Sequence, residues 1–150
     1  MSEQNSKATT KGFLDSLYKN VKMGADSIID LMPKVKDSAM REELTSELEQ
    51  HEKFAKEIRQ ILFELGESPK EENFMTRAMT KMGISFNTMM DTTTSHIADI
   101  MIQGATMGIT TTTKLVREHE NSSCSENAIS LARETIKYEE ESIERLKKFL

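Results

Sequence analysis

The chain has 150 residues, of which 37% are hydrophobic and 30% charged, a balance that suits one folded domain with a real core rather than a disordered segment. Two prolines, six glycines and 5% aromatics are too few for the frequent turns of a β-sandwich or barrel. The net charge of −5 argues against a nucleic-acid partner, and the one cysteine, Cys124, excludes an intramolecular disulfide and a zinc site of several thiolates.

Residues 1–11 are polar and lack the apolar stretch of a signal peptide. They are expected to form a flexible segment ahead of a single helical-bundle domain over 12–150. No run of about 18 apolar residues is present to span a membrane, and the expected location is cytoplasmic. From there, Leu14, Leu17, Val21, Gly24, Ile28, Leu31 and Val35 step by three and four, which places them on one helical face. Pro33 should kink or finish that helix. A second stripe follows a short link: Leu44, Leu48, His51, Ala55, Ile58, Leu62 and Leu65, with Gly66 as its C-terminal stop. So short a link predicts antiparallel neighbours.

Ser68-Pro69-Lys70-Glu71 has the spacing of a capping box and should open a short helix. The segment behind it is rich in methionine and runs to Gly83. A third helix is expected from about residue 85 to 120 on the phase Met90, Thr94, Ile97, Met101, Gly104, Gly108, Thr111 and Leu115. The Asp91–Ser95 stretch, poor in helix propensity, is a place where it can break. Ser123-Cys124-Ser125-Glu126 reads as another capping box, which would put Cys124 in a helical first turn where the macrodipole lowers a thiol's pKa. The fourth stripe is Ile129, Ala132, Ile136, Glu139, Ile143, Leu146 and Leu150. The predicted fold is all-α: a four-helix bundle of two antiparallel hairpins joined by a long crossover with a short helix of its own.

Two ionisable residues occupy apolar stripe positions: His51 in the second helix and Glu139 in the fourth. Burying either is costly unless it is paired or liganded, which makes both candidates for function. Glu47 and Asp26 are the neighbouring carboxylates if the phase differs by one position. Two stripe positions hold no side chain. Mid-helix Gly24 and Gly104 each sacrifice about 1 kcal/mol relative to Ala, which a packing or space requirement must offset. Folding each hairpin about its turn sets Gly24 opposite Leu48–His51 and Gly104 opposite Glu139–Ser142.

This layout resembles the ferritin-like superfamily over residues 12–150. The resemblance implies a bundle in which two helices each supply a Glu and two supply Glu-x-x-His to a pair of metals. Leu48-Glu49-Gln50-His51 has that spacing with Leu in place of Glu, and Glu139-Glu140-Glu141-Ser142 has it with Ser in place of His. Gly24 and Gly104 stand at the other two ligand levels. Only His51 and Glu139 match, too few donors for an ordinary carboxylate-bridged pair.

The resemblance therefore implies a non-catalytic bundle that has lost its di-iron site, binds no cofactor, and acts through oligomer assembly or protein contact. Two alternatives stay open. One is a metal-binding oxidoreductase or storage protein with a reduced iron or other transition-metal site at His51 and Glu139. The other is a carrier of a small apolar molecule, in a pocket at Gly24, Leu48, Gly104 and Ser142. Against these stand plainer readings: a buried His–Glu hydrogen bond, and close helix crossing at Gly104 and Gly108. Met75, Met79, Met82, Phe86 and Met89 are either core filler or a contact surface for a second copy or partner. His96 and His119 fall at helix ends, and none of the three histidines has Lys three residues on, as phosphotransfer bundles do.

Overall fold

The computed structural model describes residues 3–70 and 89–150. Four long helices account for most of them: α1 (Glu3–Leu31), α2 (Ser38–Glu64), α3 (Thr94–His119) and α4 (Glu126–Leu146). Short 3₁₀ turns follow α1 (Met32–Lys34) and α4 (Lys147–Phe149). No strand occurs among the described residues. The fold is an all-α four-helix bundle.

Local chemistry explains most of the boundaries. Pro33 sits in the 3₁₀ turn where α1 stops, since its ring and missing N–H cannot continue an α-helix. Asp37 caps α2 by accepting a hydrogen bond from the Met40 amide at 2.8 Å. At its other end Gly66 adopts φ +75°. The Gly66 and Glu67 amides return to the Phe63 and Leu62 carbonyls, both at 2.9 Å, in a Schellman cap that a left-handed glycine permits.

Three boundaries depart from expectation. Residues 1–11 were expected to be flexible, yet α1 begins at Glu3. The reason lies across the bundle: Ser6 Oγ donates to the Ser123 carbonyl at 2.6 Å, and buried Thr10 Oγ1 accepts from the Ser125 amide at 3.0 Å. The third helix starts at Thr94, not near 85, because Thr93 caps it through the His96 amide. Asp91 holds that cap with two hydrogen bonds from Thr93, so the Asp91–Ser95 stretch is a helix start and not an interruption. Met90, expected in the stripe, is 97% exposed. Finally, α4 is capped at Ser125 without a side-chain bond, so Ser123–Glu126 leads into the helix without forming a capping box. Cys124 precedes the helix, and partial burial pushes its thiol up rather than down. Leu150 lies beyond the end of α4 and is exposed.

Contacts along the helices fix their directions. Gly24 and Tyr18 of α1 meet His51 and Arg59 of α2, an antiparallel pair. Asn20 donates to Thr112 at 3.3 Å while Thr10 meets Ser125, so α1 and α3 are also antiparallel. Glu43, Glu47 and His51 of α2 meet Arg145, Ser142 and Glu139 of α4 in reverse order. It follows that α2 and α3 run the same way, which a short turn cannot join. The connection from Leu65 to Thr93 is the long crossover, and residues 71–88 of it lie outside the described residues. The short helix expected after Ser68 falls there, as do Met75, Met79, Met82 and Phe86. Met89 is described and packs against the core.

That core is in two apolar parts. One gathers Phe13, Leu14, Leu17, Phe54, Ile58, Leu62 and Ala132. The other gathers Ile28, Val35, Met40, Leu44, Ile97, Ala98 and Leu146. Between them, at mid-height, lie polar side chains.

A buried polar layer and the cavity above it

The second helix buries Leu44, Glu47, His51, Phe54, Ala55 and Ile58 on its inner face. Glu47 is 1% exposed, whereas Leu48, expected in the pocket, is only partly buried and packs against the apolar part around Met40 and Leu44. Positions 47 and 48 both step by three or four to their neighbours on the stripe, and the carboxylate is the one turned inward. The same slip of one position occurs on α4, where Ser142 is buried and Ile136, Glu139 and Ile143 sit at the edge.

His51 organises the layer. Its Nδ1 lies 2.7 Å from the Glu47 carbonyl oxygen, which accepts only, so Nδ1 carries a proton. Its Nε2 lies 2.8 Å from Glu139 Oε1. One further proton must occupy that contact, and it makes an imidazolium–carboxylate pair. Burial disfavours the imidazolium, but the hydrogen bond and charge of Glu139, with the Glu47 carbonyl behind, outweigh it and hold His51 above its ordinary pKa.

Glu47 responds in the opposite sense to its surroundings. Burial, reinforced by the charges of Glu139 and Glu43, raises its pKa to about 8, so the neutral acid predominates at pH 7. Ser142 donates its hydroxyl to Glu47 Oε1. Arg145 closes the layer from outside, donating to Glu43 at 2.7 Å and standing 3.8 Å from Glu47. Its guanidinium lies 5.0 Å from the Tyr138 ring centroid, and that ring packs edge-on against His51 and Phe54. Among the described residues no buried side-chain nitrogen or oxygen lacks a hydrogen-bond partner.

Gly24 makes room for this arrangement. A Cβ built on it would stand 2.6 Å from His51 Nε2 and 2.7 Å from Cδ2, so the imidazole occupies the space that a side chain on α1 would need. Gly104 and Gly108 differ: a Cβ on either meets nothing within 4 Å. The expectation that these small residues let two helices cross closely is therefore corrected. They leave a gap between α1 and α3, a cavity of about 130 Å³ over the polar layer. Gly24, Gly104 and Ser142 of the expected pocket line it with His51, Glu139 and Glu47; Leu48 does not.

The carboxylate-bridged metal pair that the resemblance implies is not matched by these residues. Gly24 and Gly104 offer no donor, Ser142 is committed to Glu47, and His51 and Glu139 are bonded to each other. No group of three or more His, Cys, Asp and Glu side chains among the described residues is placed to hold a metal ion. His96 and His119 lie in the first and last turns of α3, away from the layer; His119 bonds the Leu115 carbonyl and packs on Phe13. No described helix is long and apolar enough to cross a membrane.

A four-helix bundle with one long crossover and a polar, hydrogen-bonded layer at mid-height is thus the class of protein these observations define. Comparison with family models matches residues 10–118 to the family described as "Domain of unknown function (DUF2383)". The match covers more than half of the chain, which belongs to that family; it takes in Gly24, Glu47, His51 and Gly104 and stops before α4. Comparisons with curated proteins and with solved structures found no match.

Proposed function

We propose that this chain is a non-catalytic bundle of the ferritin-like type whose di-metal centre has been replaced by the His51–Glu139 and Glu47–Ser142 hydrogen bonds. In this reading it works by assembly with further copies or by contact with a protein partner. The observation that carries it is the 2.8 Å contact between His51 Nε2 and Glu139 Oε1 in the space vacated at Gly24. Two groups that would face a metal satisfy each other instead, and a fully bonded polar pair inside a bundle can specify register without chemistry.

The test is metal content of untagged protein from cells supplemented with iron and zinc, beside Glu139→Gln and His51→Ala. The expected result is no stoichiometric metal in any of the three, with both variants less stable. One or two metals per chain, lost in both variants, would overturn it in favour of an iron or other transition-metal site at His51 and Glu139. For the assembly half, sedimentation should show more than one chain per particle, alone or with a partner; a monomer that captures nothing refutes it.

A second reading is supported by the cavity: a carrier of a small apolar molecule in the space left by Gly104 and Gly108. Its volume is close to that of engineered cavities of about 150 Å³ that take up benzene.

A further inference from the structure

The second reading takes the small molecule as apolar, and the cavity lining refines that chemistry. α1 contributes Asn20, Met23, Ser27 and Ile28, and α3 contributes Ile100, Met101 and Ala105 with its two glycines. Neither helix adds an ionisable side chain to the lining. All of its charge therefore comes from the floor, where α2 and α4 place the Glu139 carboxylate with its His51 imidazolium, and beside them Glu47, a neutral acid at pH 7. The nearest guanidinium, Arg145, is turned to Glu43 and Tyr138 and does not line the cavity.

Glu139 keeps some exposure, with 19% of its side chain accessible. A carboxylate has about four acceptor sites on its two oxygens, and His51 uses one of them. An anion entering here would meet the Glu139 carboxylate and find no free donor on His51, whose two N–H groups are taken by the Glu47 carbonyl and Glu139. A purely apolar molecule would fit the walls and make no use of the floor.

We infer that the cavity takes a small amphipathic amine, its ammonium group on the Glu139 carboxylate and its apolar body against Met23, Ile100 and Met101. The inference rests on the small-molecule reading. A charge-assisted bond to a partly desolvated carboxylate is the strong kind, and a methionine-rich wall adapts to the shape of the body. Glu47 adds a pH dependence. It is faced by Glu43 and His51 on its own helix and by Glu139, Ser142, Arg145 and Tyr138 on α4. Its ionisation near pH 8 makes the floor more negative, so amine binding tightens as pH rises through that value while the amine stays protonated.

The experiment is calorimetric titration of the full chain with benzylamine, benzyl alcohol and benzoate, three molecules of similar size and different head charge. Benzylamine should bind at least about tenfold more tightly than benzyl alcohol, which corresponds to about 1.4 kcal/mol, and benzoate should not bind. Glu139→Gln should bring benzylamine down to the level of benzyl alcohol. Gly104→Leu, whose Cβ meets nothing, should abolish binding of both while the helical circular dichroism is kept. Equal binding of amine and alcohol, both blocked by Gly104→Leu, would overturn the amine and leave the small-molecule reading standing. No binding by any of the three, or binding indifferent to Gly104→Leu, would overturn both.

Discussion

A Cβ at position 24 would approach His51 Nε2 to 2.6 Å, nearer than real Cβ contacts come. Gly24→Ala must therefore move the imidazole or the helix, and the His51–Glu139 bond is the contact at risk. Overpacking of this kind costs about 1–3 kcal/mol, against about 1 kcal/mol gained in helix propensity. The expected outcome is a lower urea midpoint with a shifted His51 imidazole signal in NMR spectra. Gly104→Ala and Gly108→Ala, in open space, should each stabilise the fold by up to about 1 kcal/mol and so raise the midpoint. A Gly24→Ala protein as stable as those two would show that His51 does not need the vacated space. His51 and Glu139 were legible in the sequence because each interrupts an apolar stripe. Glu47 entered only as the alternative for a phase one position different, because Leu48 beside it fits the same spacing and is apolar. The Ser142 hydroxyl, with the Arg145 guanidinium 3.8 Å away, makes the buried carboxyl group tolerable.

Helix ends show the same division. Pro33, Asp37 and Gly66 act through their own backbone and nearby amides, so the end of α1 and the stop of α2 could be read locally. The start of α1 could not. Residues 3–11 carry little apolar signal, and their order comes from Ser6 and Thr10 bonding to the α3–α4 turn more than a hundred residues away. Removing residues 1–11 should lower stability by about 2 kcal/mol, two hydrogen bonds at about 1 kcal/mol each. Hydrogen exchange should quicken in the 120–125 turn at the same time. An unchanged midpoint and unchanged exchange would return the segment to the flexible role its composition suggested. In α3, the threonine-rich run stays helical with Thr106 and Thr110 hydroxyls returned to the carbonyls four residues back, a bonding pattern that propensity alone does not specify.

Across the whole molecule, a polar layer separates two apolar cores, and this makes stability sensitive to pH. Glu47 keeps its proton to about pH 8 in the folded chain, far above its ordinary value of 4.5. Between those values the folded state holds more protons than the unfolded one, so stability falls as pH rises. His51 acts in the same direction. Its pKa is raised by folding, so the ion pair stabilises fully below the ordinary value of 6.5 and is lost as pH climbs through the folded one. Urea midpoints should therefore be lower at about pH 8.5 than at about pH 5.5, and Glu47→Gln should reduce the difference. An unchanged difference in Glu47→Gln would mean that this carboxyl group is already ionised at about pH 5.5 in the folded chain. The sequence by itself determined the helical class, the antiparallel pairing of each hairpin and the two ionisable interruptions, because periodicity and link length act over one or two helices. Tertiary structure decided which flank of each stripe turns inward, that Gly24 makes room for His51, and that Gly104 and Gly108 border a gap. Those outcomes depend on how deeply four helices interlock, and a one-position rotation of a helix changes them without altering its periodicity.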